Sequence, residues 1–416
     1  MIRHIDRERL WASLMEMAQI GATARGGVCR LALSEADGKG RDLFSRWCQE
    51  AGLQVRADGI GNLFARRVAD QPDHAPVLVG SHLDTQPTGG RFDGAYGVLA
   101  ALEVVRTLND LKITTFKPVE IVSWTNEEGA RFTPAMLGSA VFTGMIELEQ
   151  ALSATDAEGI TAGAALDAIG YRGACAAGGI PIDTYFEAHI EQGPVLEKSG
   201  MPIGVVTGGQ GIRWLDVKVL GHGAHAGTTP MEFRRDALFA SAEMIQKLEQ
   251  MARDFAPRGL VTVGQIAIPN SSRNTIPAQV SFTADLRHHE DDVIDAMEQA
   301  MRVELDRIAR SRGVAAEIGV YWKSPVTPFD GGCVAAVEAA VSALGYRHQQ
   351  IVSGAGHDAI NMARYCPSSM IFIPCVNGLS HNEAEAALPE HVAQGADVLL
   401  NAVLARAGAG AGATSC

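Results

Sequence analysis

The sequence predicts an α/β fold, in which a large α/β sandwich surrounds a mostly parallel sheet and carries a smaller inserted domain. Three observations support this. The 416 residues are too many for one ordinary core, so two domains are expected. Short apolar runs alternate with helical patterns, as they do in parallel sheets flanked by helices. Residues 210–325 interrupt that alternation with a β-α-β-β-α-β order, which is typical of a ferredoxin-like sandwich.

The elements of the large domain follow from apolar spacing and from runs that end in glycine or polar residues. The large domain is expected to cover residues 1–209 and 326–416. Its predicted elements are helices at 7–20 and 41–51, a strand at 76–80, a helix at 94–108, a strand at 119–124, surface helices and loops at about 150–180, and strands at 184–188 and 370–373.

The inserted domain has clearer periodicity. Its predicted elements are a strand at 213–220, a helix at 235–254, strands at 260–268 and 278–286, a helix at 291–312 and a strand at 315–322. The Ala-Gly tail at 407–416 is expected to be a frayed end.

Composition excludes several classes of protein. Hydrophobic residues make up 47% of the chain and charged residues 20%, which is ordinary for a globular protein. The net charge of −13 argues against nucleic acid or an anionic membrane as a partner. The charged start lacks the apolar segment of a secretory signal, and no apolar run could span a bilayer. Seven scattered cysteines without CxxC spacing predict reduced thiols and a cytoplasmic protein.

Two polar clusters follow predicted strands in the amino-terminal half. His82 and Asp84 alternate and therefore point the same way, so Asp84 can hydrogen-bond the far nitrogen of a metal-ligating His82. Asp93 follows through a Gly-Gly turn. Adjacent Glu127 and Glu128 point in different directions, so that one can bind a metal while the other faces a water. A polar turn and a solvated acidic loop are the alternatives for these clusters taken singly.

Two further clusters contain His189 and His381, each after another possible strand. A lone histidine is more often structural than a ligand. The four clusters together, however, lie at strand ends, which is where α/β sheets place ligand sites.

The motifs at these positions resemble those of the M20 metallopeptidase-related amidohydrolases, specifically the hydantoinase/carbamoylase branch. The resemblance covers about residues 10–405 and is carried by GSHLDTQPTGGRFDG, WTNEEGARF, HIEQGPVLE, GHGAHAGTTPM, NTIP, DLRH, SGAGHDA and GLSHNEAE. That branch contains N-carbamoyl-L-amino acid hydrolases, metal-dependent β-ureidopropionases and allantoate amidohydrolases.

The resemblance implies a centre for two divalent metal ions. Asp93 would bridge them, His82 and His189 would complete one site, and Glu128 and His381 would complete the other. Many peptidases of the wider family have a carboxylate where this chain has His189, and this difference points to the carbamoylase branch. Imidazole and carboxylate ligands suit Zn, Mn, Co or Ni, and affinity alone does not choose among them.

The resemblance also implies catalytic roles. Glu127 would be the general base and Asp84 the partner of His82. His225 would reach into the site of a partner subunit and stabilise the developing oxyanion, with His222 in a supporting place. The implied assembly is a homodimer joined through the inserted domain, which would also act as a lid.

The substrate of such an enzyme carries a carboxylate and a ureido group. Arg287 is the expected carboxylate partner, with a salt bridge across the dimer as its alternative. His357 is expected either as a substrate contact or as a packing partner of the metal ligands. The other expected substrate contacts are Gln192, Gln210, Asn274 and the backbone amide of Gly356.

The expected reaction is hydrolysis of the ureido C–N bond of N-carbamoyl-L-amino acids or N-carbamoyl-β-alanine, giving amino acid, ammonia and CO2. Allantoate is the alternative substrate, because it also presents a ureido group beside a carboxylate. An aminoacylase or dipeptidase and a non-catalytic homologue complete the alternatives.

Overall fold

The structure of the protein is a computed structural model that describes residues 2–408. Cys416 and most of the Ala-Gly tail lie outside the described residues. The end that was predicted to be frayed therefore lies outside them as well. The strands are β1 (Gln54–Ala57), β2 (Leu63–Arg67), β3 (Val77–His82), β4 (Val119–Trp124), β5 (Thr184–Ile190), β6 (Ile203–Gly209), β7 (Gly211–Leu220), β8 (Ala224–His225), β9 (Leu260–Thr262), β10 (Ile266–Ala267), β11 (Thr275–Ile276), β12 (Gln279–His288), β13 (Ala315–Ser324), β14 (Thr327–Pro328), β15 (His348–Ser353) and β16 (Ser368–Ile373). The helices are α1 (Arg7–Met17), α2 (Glu35–Glu50), α3 (Ala95–Asp110), α4 (Leu137–Phe142), α5 (Leu148–Ser153), α6 (Ala162–Ala168), α7 (Val195–Ser199), α8 (Ala237–Asp254), α9 (Asp291–Arg312), α10 (Gly331–Ala343), α11 (Asp358–Met362) and α12 (Pro389–Ala407).

The chain forms two compact units. The first runs to Gly208 and resumes at Pro328, and the second is Gly209–Thr327. The boundaries predicted from the sequence, at 210 and 325, lie within two residues of this division. Among the described residues, no helix has both the length and the apolar character needed to cross a membrane.

The sheet of the first unit follows the order β1-β2-β4-β3-β5-β16-β6, with β15 also paired to β6. Its centre is parallel, since β3 pairs in parallel with β4 and β5, and β16 pairs in parallel with β5. On either side of this centre, β2 is antiparallel to β4 and β6 is antiparallel to β16. Every residue of the four parallel strands is buried, as expected where helices cover both faces. The predicted α/β fold with a largely parallel central sheet is confirmed.

Helices form a layer on each face of this sheet. On one face α3 packs against β3, and α12 packs against α3, β5 and β16. On the other face α4 and α11 pack against each other and against β4, β5 and β16. α3 is rich in alanine, valine and leucine, and it begins at Ala95, directly after Gly94, whose φ of 63° is readily adopted by glycine. This start places Asp93 two residues before the helix, at the carboxyl edge of the sheet.

The second unit contains the predicted β-α-β-β-α-β order. Its antiparallel sheet follows the path β10-β12-β7-β13, with β9 also paired to β12, and α8 and α9 pack on it. Burial alternates along β12, so one face of that strand lies on the helices. The single strand predicted at 260–268 was wrong, because β9 and β10 are separate. Thr262 pairs with Asp285, and Ile266 pairs with Phe282. The chain from β9 to β10 advances four residues between these pairs and β12 advances three, so one extra residue forms a β-bulge.

Three predicted boundaries also differ from the structure. α2 begins at Glu35 rather than at 41, because the Ser34 hydroxyl caps it by accepting the N–H of Asp37. His189 lies inside β5 rather than after it, and Arg287 lies inside β12 rather than at its end.

The six cysteines among the described residues are free thiols, and four of them are buried.

Candidate metal centre

The predicted ligands are carried by the strands of the parallel centre of the sheet and by the loops that follow them. His82 ends β3 and His189 is the penultimate residue of β5. Glu128 follows β4, and His381 follows β16. Because parallel strands end at the same edge, this edge gathers the side chains in one place, as the general rule for open α/β sheets predicts.

Asp93 lies at the centre of this group. Its Oδ1 is 3.2 Å from Nε2 of His189 and 3.8 Å from Nε2 of His82. Its Oδ2 is 3.3 Å from Nε2 of His381, and that nitrogen is also 3.3 Å from Oε2 of Glu128. Each oxygen of one carboxylate therefore faces a different pair of potential ligands, as in a carboxylate that bridges two cations.

The donor atoms fit two divalent cations. Two sets of donor atoms lie within 4.8 Å of one another, His82-Asp93-His189 and Asp93-Glu128-His381. Nδ1 of His82 is 2.9 Å from the Asp84 carbonyl, and Nδ1 of His189 is 2.9 Å from the Ile190 carbonyl. In the neutral imidazoles these Nδ1–H groups donate to the carbonyls, so each ring keeps an Nε2 lone pair on the side of Asp93. The lone pair of His189 accepts the N–H of Gly94 at 3.2 Å.

The same contacts shift the pKa values of the ligands. Burial alone would raise the pKa of Asp93, but hydrogen bonds from His189 and His381, together with the charges of the neighbouring histidines, hold it well below its usual value. Although burial opposes it, the hydrogen bond to Asp93 raises the pKa of His189 to about 9. Hydrogen bonds to Asp93 and Glu128 raise the pKa of His381 to about 10. Protons therefore compete with cations for these imidazoles, and acid favours the protons.

The role predicted for the Asp84 carboxylate requires a correction. The carboxylate is 3.9 Å from Nδ1 of His82, which instead lies 2.9 Å from the backbone carbonyl of Asp84. The carboxylate accepts the N–H groups of Glu127 and Glu128, at 3.2 and 3.1 Å. Asn126 has a φ of 55°, and this left-handed turn directs both amides toward Asp84. Asp84 therefore shapes the loop that carries the two glutamates.

Glu127 and Glu128 have different surroundings. The side chain of Glu127 is buried, and its Oε2 lies 3.5 Å from Nε2 of His82. Burial, followed by the charges of Asp358 and Glu128, raises the pKa of Glu127 well above its usual value. Glu128 is held by Gln86, whose backbone N–H and side-chain amide donate to its two oxygens at 3.1 and 2.8 Å. The sequence analysis did not identify Gln86, although it lies in the first motif.

Three predicted substrate contacts of the first unit lie close to these ligands or pack near them. Gln192 has a φ of 59°, and its amide donates to Oδ2 of Asp93 at 3.1 Å. The ring of His357 is buried 4.5 Å from that of His189, and its Nε2 has no hydrogen-bond partner within the described chain. Gly356 packs against Met136, whose methyl carbon would be 3.3 Å from an added Cβ.

The remaining predicted residues belong to the second unit. Asn274 and His225 are neighbours there, because β8 pairs with β11 and the N–H of Ala226 donates to the Asn274 carbonyl at 2.9 Å. Arg287 forms a two-point pair with Asp285 of the same strand, with Nη2–Oδ2 at 2.8 Å. Strand periodicity places these two side chains on the same side of β12. Gln210 is buried.

Glu385 is a further residue that the sequence analysis missed. Its Oε1 accepts the backbone N–H groups of Phe92 and Asp93 at 2.9 and 3.1 Å, and its Oε2 accepts the Ser380 hydroxyl at 3.1 Å. The Ser380 hydroxyl also lies 3.0 Å from Oδ2 of Asp93. A Cβ at Gly90 would lie 2.1 Å from Glu385, so only glycine fits there. Glu385 thus fixes the backbone and orientation of the central aspartate.

Comparison with known proteins identifies the class of this fold and site. The family model described as peptidase family M20/M25/M40 matches residues 78–405. The chain therefore belongs to this family.

More similar proteins narrow the assignment. An N-carbamoyl-L-amino-acid amidohydrolase of Rhizobium meliloti is 48% identical over 403 residues, covering 97% of each chain. The solved structure of a hydantoinase/carbamoylase family amidase from Burkholderia ambifaria is 62% identical, with a TM-score of 0.93 and 100% of both chains covered. An allantoate amidohydrolase of Bacillus subtilis is 34% identical over 371 residues, covering 89% of this chain and 90% of the relative. The predicted hydantoinase/carbamoylase branch is confirmed.

The loop-shaping role of Asp84 predicts a graded loss of stability. Asp84→Ala would leave two buried N–H groups without an acceptor and should lower the free energy of unfolding by about 1–3 kcal/mol for each group. Asp84→Asn keeps one acceptor oxygen and should cost less. Urea unfolding of the metal-free proteins measures both values, and equal stability of Asp84→Ala and the unchanged protein would contradict the assignment.

Proposed function

We propose that this protein is a two-metal amidohydrolase that cleaves N-carbamoyl-L-amino acids to the amino acid, ammonia and CO2. One observation carries the proposal: the two oxygens of Asp93 face separate pairs of ligands, in a chain 48% identical to a relative named for this reaction. The reaction makes the protein a hydrolase of non-peptide C–N bonds.

The metal ligands would be those that surround Asp93. His82 and His189 would hold one ion with Asp93, and Glu128 and His381 would hold the other. Two bound cations would lower the pKa of a shared water and polarise the ureido carbonyl. The ligand set admits Zn, Mn, Co or Ni. Asp84, Gln86 and Glu385 would keep the ligands in place through the hydrogen bonds described above.

Glu127 would act as the general base. Its carboxylate lies beside His82 rather than among the ligands of the second pair, so it can face a water at the centre. It would take a proton from the attacking water and return it to the leaving nitrogen. Its raised pKa suits a group that must hold a proton between these two steps.

The second unit would complete the site from a partner subunit of a homodimer. His225 would stabilise the oxyanion that forms on the ureido carbonyl. Arg287 would bind the substrate carboxylate and Asn274 would add an amide hydrogen bond. Gln192 and Gln210 would contact the ureido or the carboxylate end of the substrate. Support comes from the motif resemblance and from the pairing that places Asn274 next to His225 within the unit. The homodimer, the lid movement and the cytoplasmic location remain predictions.

Allantoate is the second candidate substrate. It combines a ureido group with a carboxylate, and a relative named allantoate amidohydrolase is 34% identical to this chain. The identity of 48% to the carbamoylase relative favours N-carbamoyl-L-amino acids.

A substrate panel tests the proposed reaction. The purified enzyme is stripped with chelator, reloaded separately with Zn, Mn, Co or Ni, and offered N-carbamoyl-L- and D-amino acids, N-carbamoyl-β-alanine, allantoate and N-acetyl amino acids. We expect the highest kcat/KM for an N-carbamoyl-L-amino acid, with equal release of amino acid and ammonia. A preference for allantoate would favour the second candidate, and failure to cleave any ureido compound would contradict the proposed reaction.

Glu127 and its neighbour provide a matched pair of variants. Glu127→Gln should lower kcat by about 10²- to 10⁴-fold while metal content stays unchanged, because it removes the proton acceptor but no ligand. Glu128→Gln should instead lower metal content, since it removes a ligand. Turnover and metal analysis on the same samples distinguish the two, and a Glu127→Gln enzyme with undiminished kcat would eliminate the assigned base.

A further inference from the structure

We infer that Glu187 is a positioning residue that fixes the strand ends carrying the metal ligands. The inference rests on the proposed metal centre and adds a residue to which neither the motifs nor the comparisons assign a role. Glu187 lies in β5, a strand that is otherwise mostly apolar, and it is fully buried. A buried carboxylate is costly unless it is well hydrogen-bonded, so its partners indicate what it does.

Both oxygens of Glu187 accept hydrogen bonds from separate elements. Oε1 accepts the hydroxyl of Ser81, in β3, at 2.6 Å. Oε2 accepts the N–H of Ala359, in α11, at 3.0 Å, and lies 3.1 Å from the hydroxyl of Tyr185 in its own strand. One side chain therefore ties β3, β5 and α11 together.

Tyr185 extends the network to a fourth element. Its hydroxyl accepts the indole N–H of Trp124, the last residue of β4, at 3.1 Å. The same hydroxyl is 3.1 Å from the Gly80 carbonyl in β3 and 3.1 Å from Glu187, so its proton serves these two acceptors. The network thus connects the ends of three adjacent parallel strands, β4, β3 and β5.

The three tied strands lead directly into the metal centre. Ser81 precedes His82, and Glu187 lies two residues before His189 on the same side of its strand. Trp124 is followed by the short loop that carries Glu127 and Glu128. Shifting one strand end relative to another would break a hydrogen bond of this buried network. The network therefore penalises the movements that would separate the ligands.

Direct metal binding by Glu187 fits the contacts less well. Glu187, His189 and His357 offer donor atoms within 4.8 Å of one another. Both Glu187 oxygens, however, already accept hydrogen bonds, and Nε2 of His189 lies 3.2 Å from Asp93. Glu187 therefore acts through the residues that it holds.

The test compares Glu187→Gln with Glu120→Gln. Glu120 is a fully buried carboxylate at the start of β4, paired with Arg56 at 2.9 Å, so its variant reports the general cost of altering a buried glutamate in this sheet. In Glu187→Gln an amide nitrogen replaces one of the two carboxylate oxygens. This nitrogen cannot accept a hydrogen bond, so one of the donors that Glu187 serves loses its acceptor. Zn²⁺ affinity by chelator competition and the absorption spectrum of bound Co²⁺ are measured on the full-length chains.

We expect Glu187→Gln to bind metal roughly 10- to 100-fold more weakly and to alter the Co²⁺ spectrum. Glu120→Gln should lose stability yet keep the unchanged protein's affinity and spectrum. If Glu187→Gln does not fold, Ser81→Ala, which removes one donor, should still shift both readouts. Unchanged affinity and spectrum in the folded variant would overturn the inference alone, whereas an unmutated protein that binds no metal would overturn the metal centre as well.

Discussion

The proposed metal centre depends on one carboxylate, that of Asp93, whose two oxygens face different pairs of ligands. This position concentrates negative charge, because Glu127, Glu128 and Asp84 lie nearby and all four side chains are buried. Positive charge among these acids lowers the cost of burying them, either as protons on the histidines or as bound cations. The same electrostatics that raise the pKa values of His189 and His381 therefore also favour divalent metal ions.

Three buried carboxylates that are not ligands keep the loops and strand ends of this centre in place. Asp84 accepts the amides of the glutamate loop, Glu385 accepts the amide of Asp93, and Glu187 joins the strand ends beneath them. Backbone strain accompanies these contacts, since Asn126, Gln192 and His381 all have a positive φ. Because the contacts form only in the folded chain, binding of metal should also stabilise the fold.

The sequence predicted the elements with strong periodicity and the residues inside compact motifs. The strand at 119–124 and the helix at 291–312 match the structure, since each has apolar spacing without interruption. The partner of Asp84 could not be predicted, because local alternation favours His82 whereas the amides it accepts come from a loop 43 and 44 residues later. Glu385 accepts a hydrogen bond from Asp93, which is 292 residues away in the sequence. Glu187 accepts one from Ser81, which is 106 residues away. No local sequence pattern encodes contacts at such separations. The sequence did offer one indication of the role of Glu187, because an acidic residue is unusual in a buried strand such as β5.

The central claim is that Asp93 serves two ions at once, and metal stoichiometry tests it most directly. The purified protein and its Asp93→Asn, His82→Ala and His348→Ala variants are dialysed against Mn²⁺ and analysed for bound metal, with circular dichroism to verify folding. His348 is a histidine whose Nδ1 lies 3.2 Å from the Tyr346 carbonyl, and it serves as the control. The account predicts two ions in the unmutated protein and in His348→Ala, one fewer in His82→Ala, and loss of both in Asp93→Asn. A folded Asp93→Asn variant that retains two ions would contradict it.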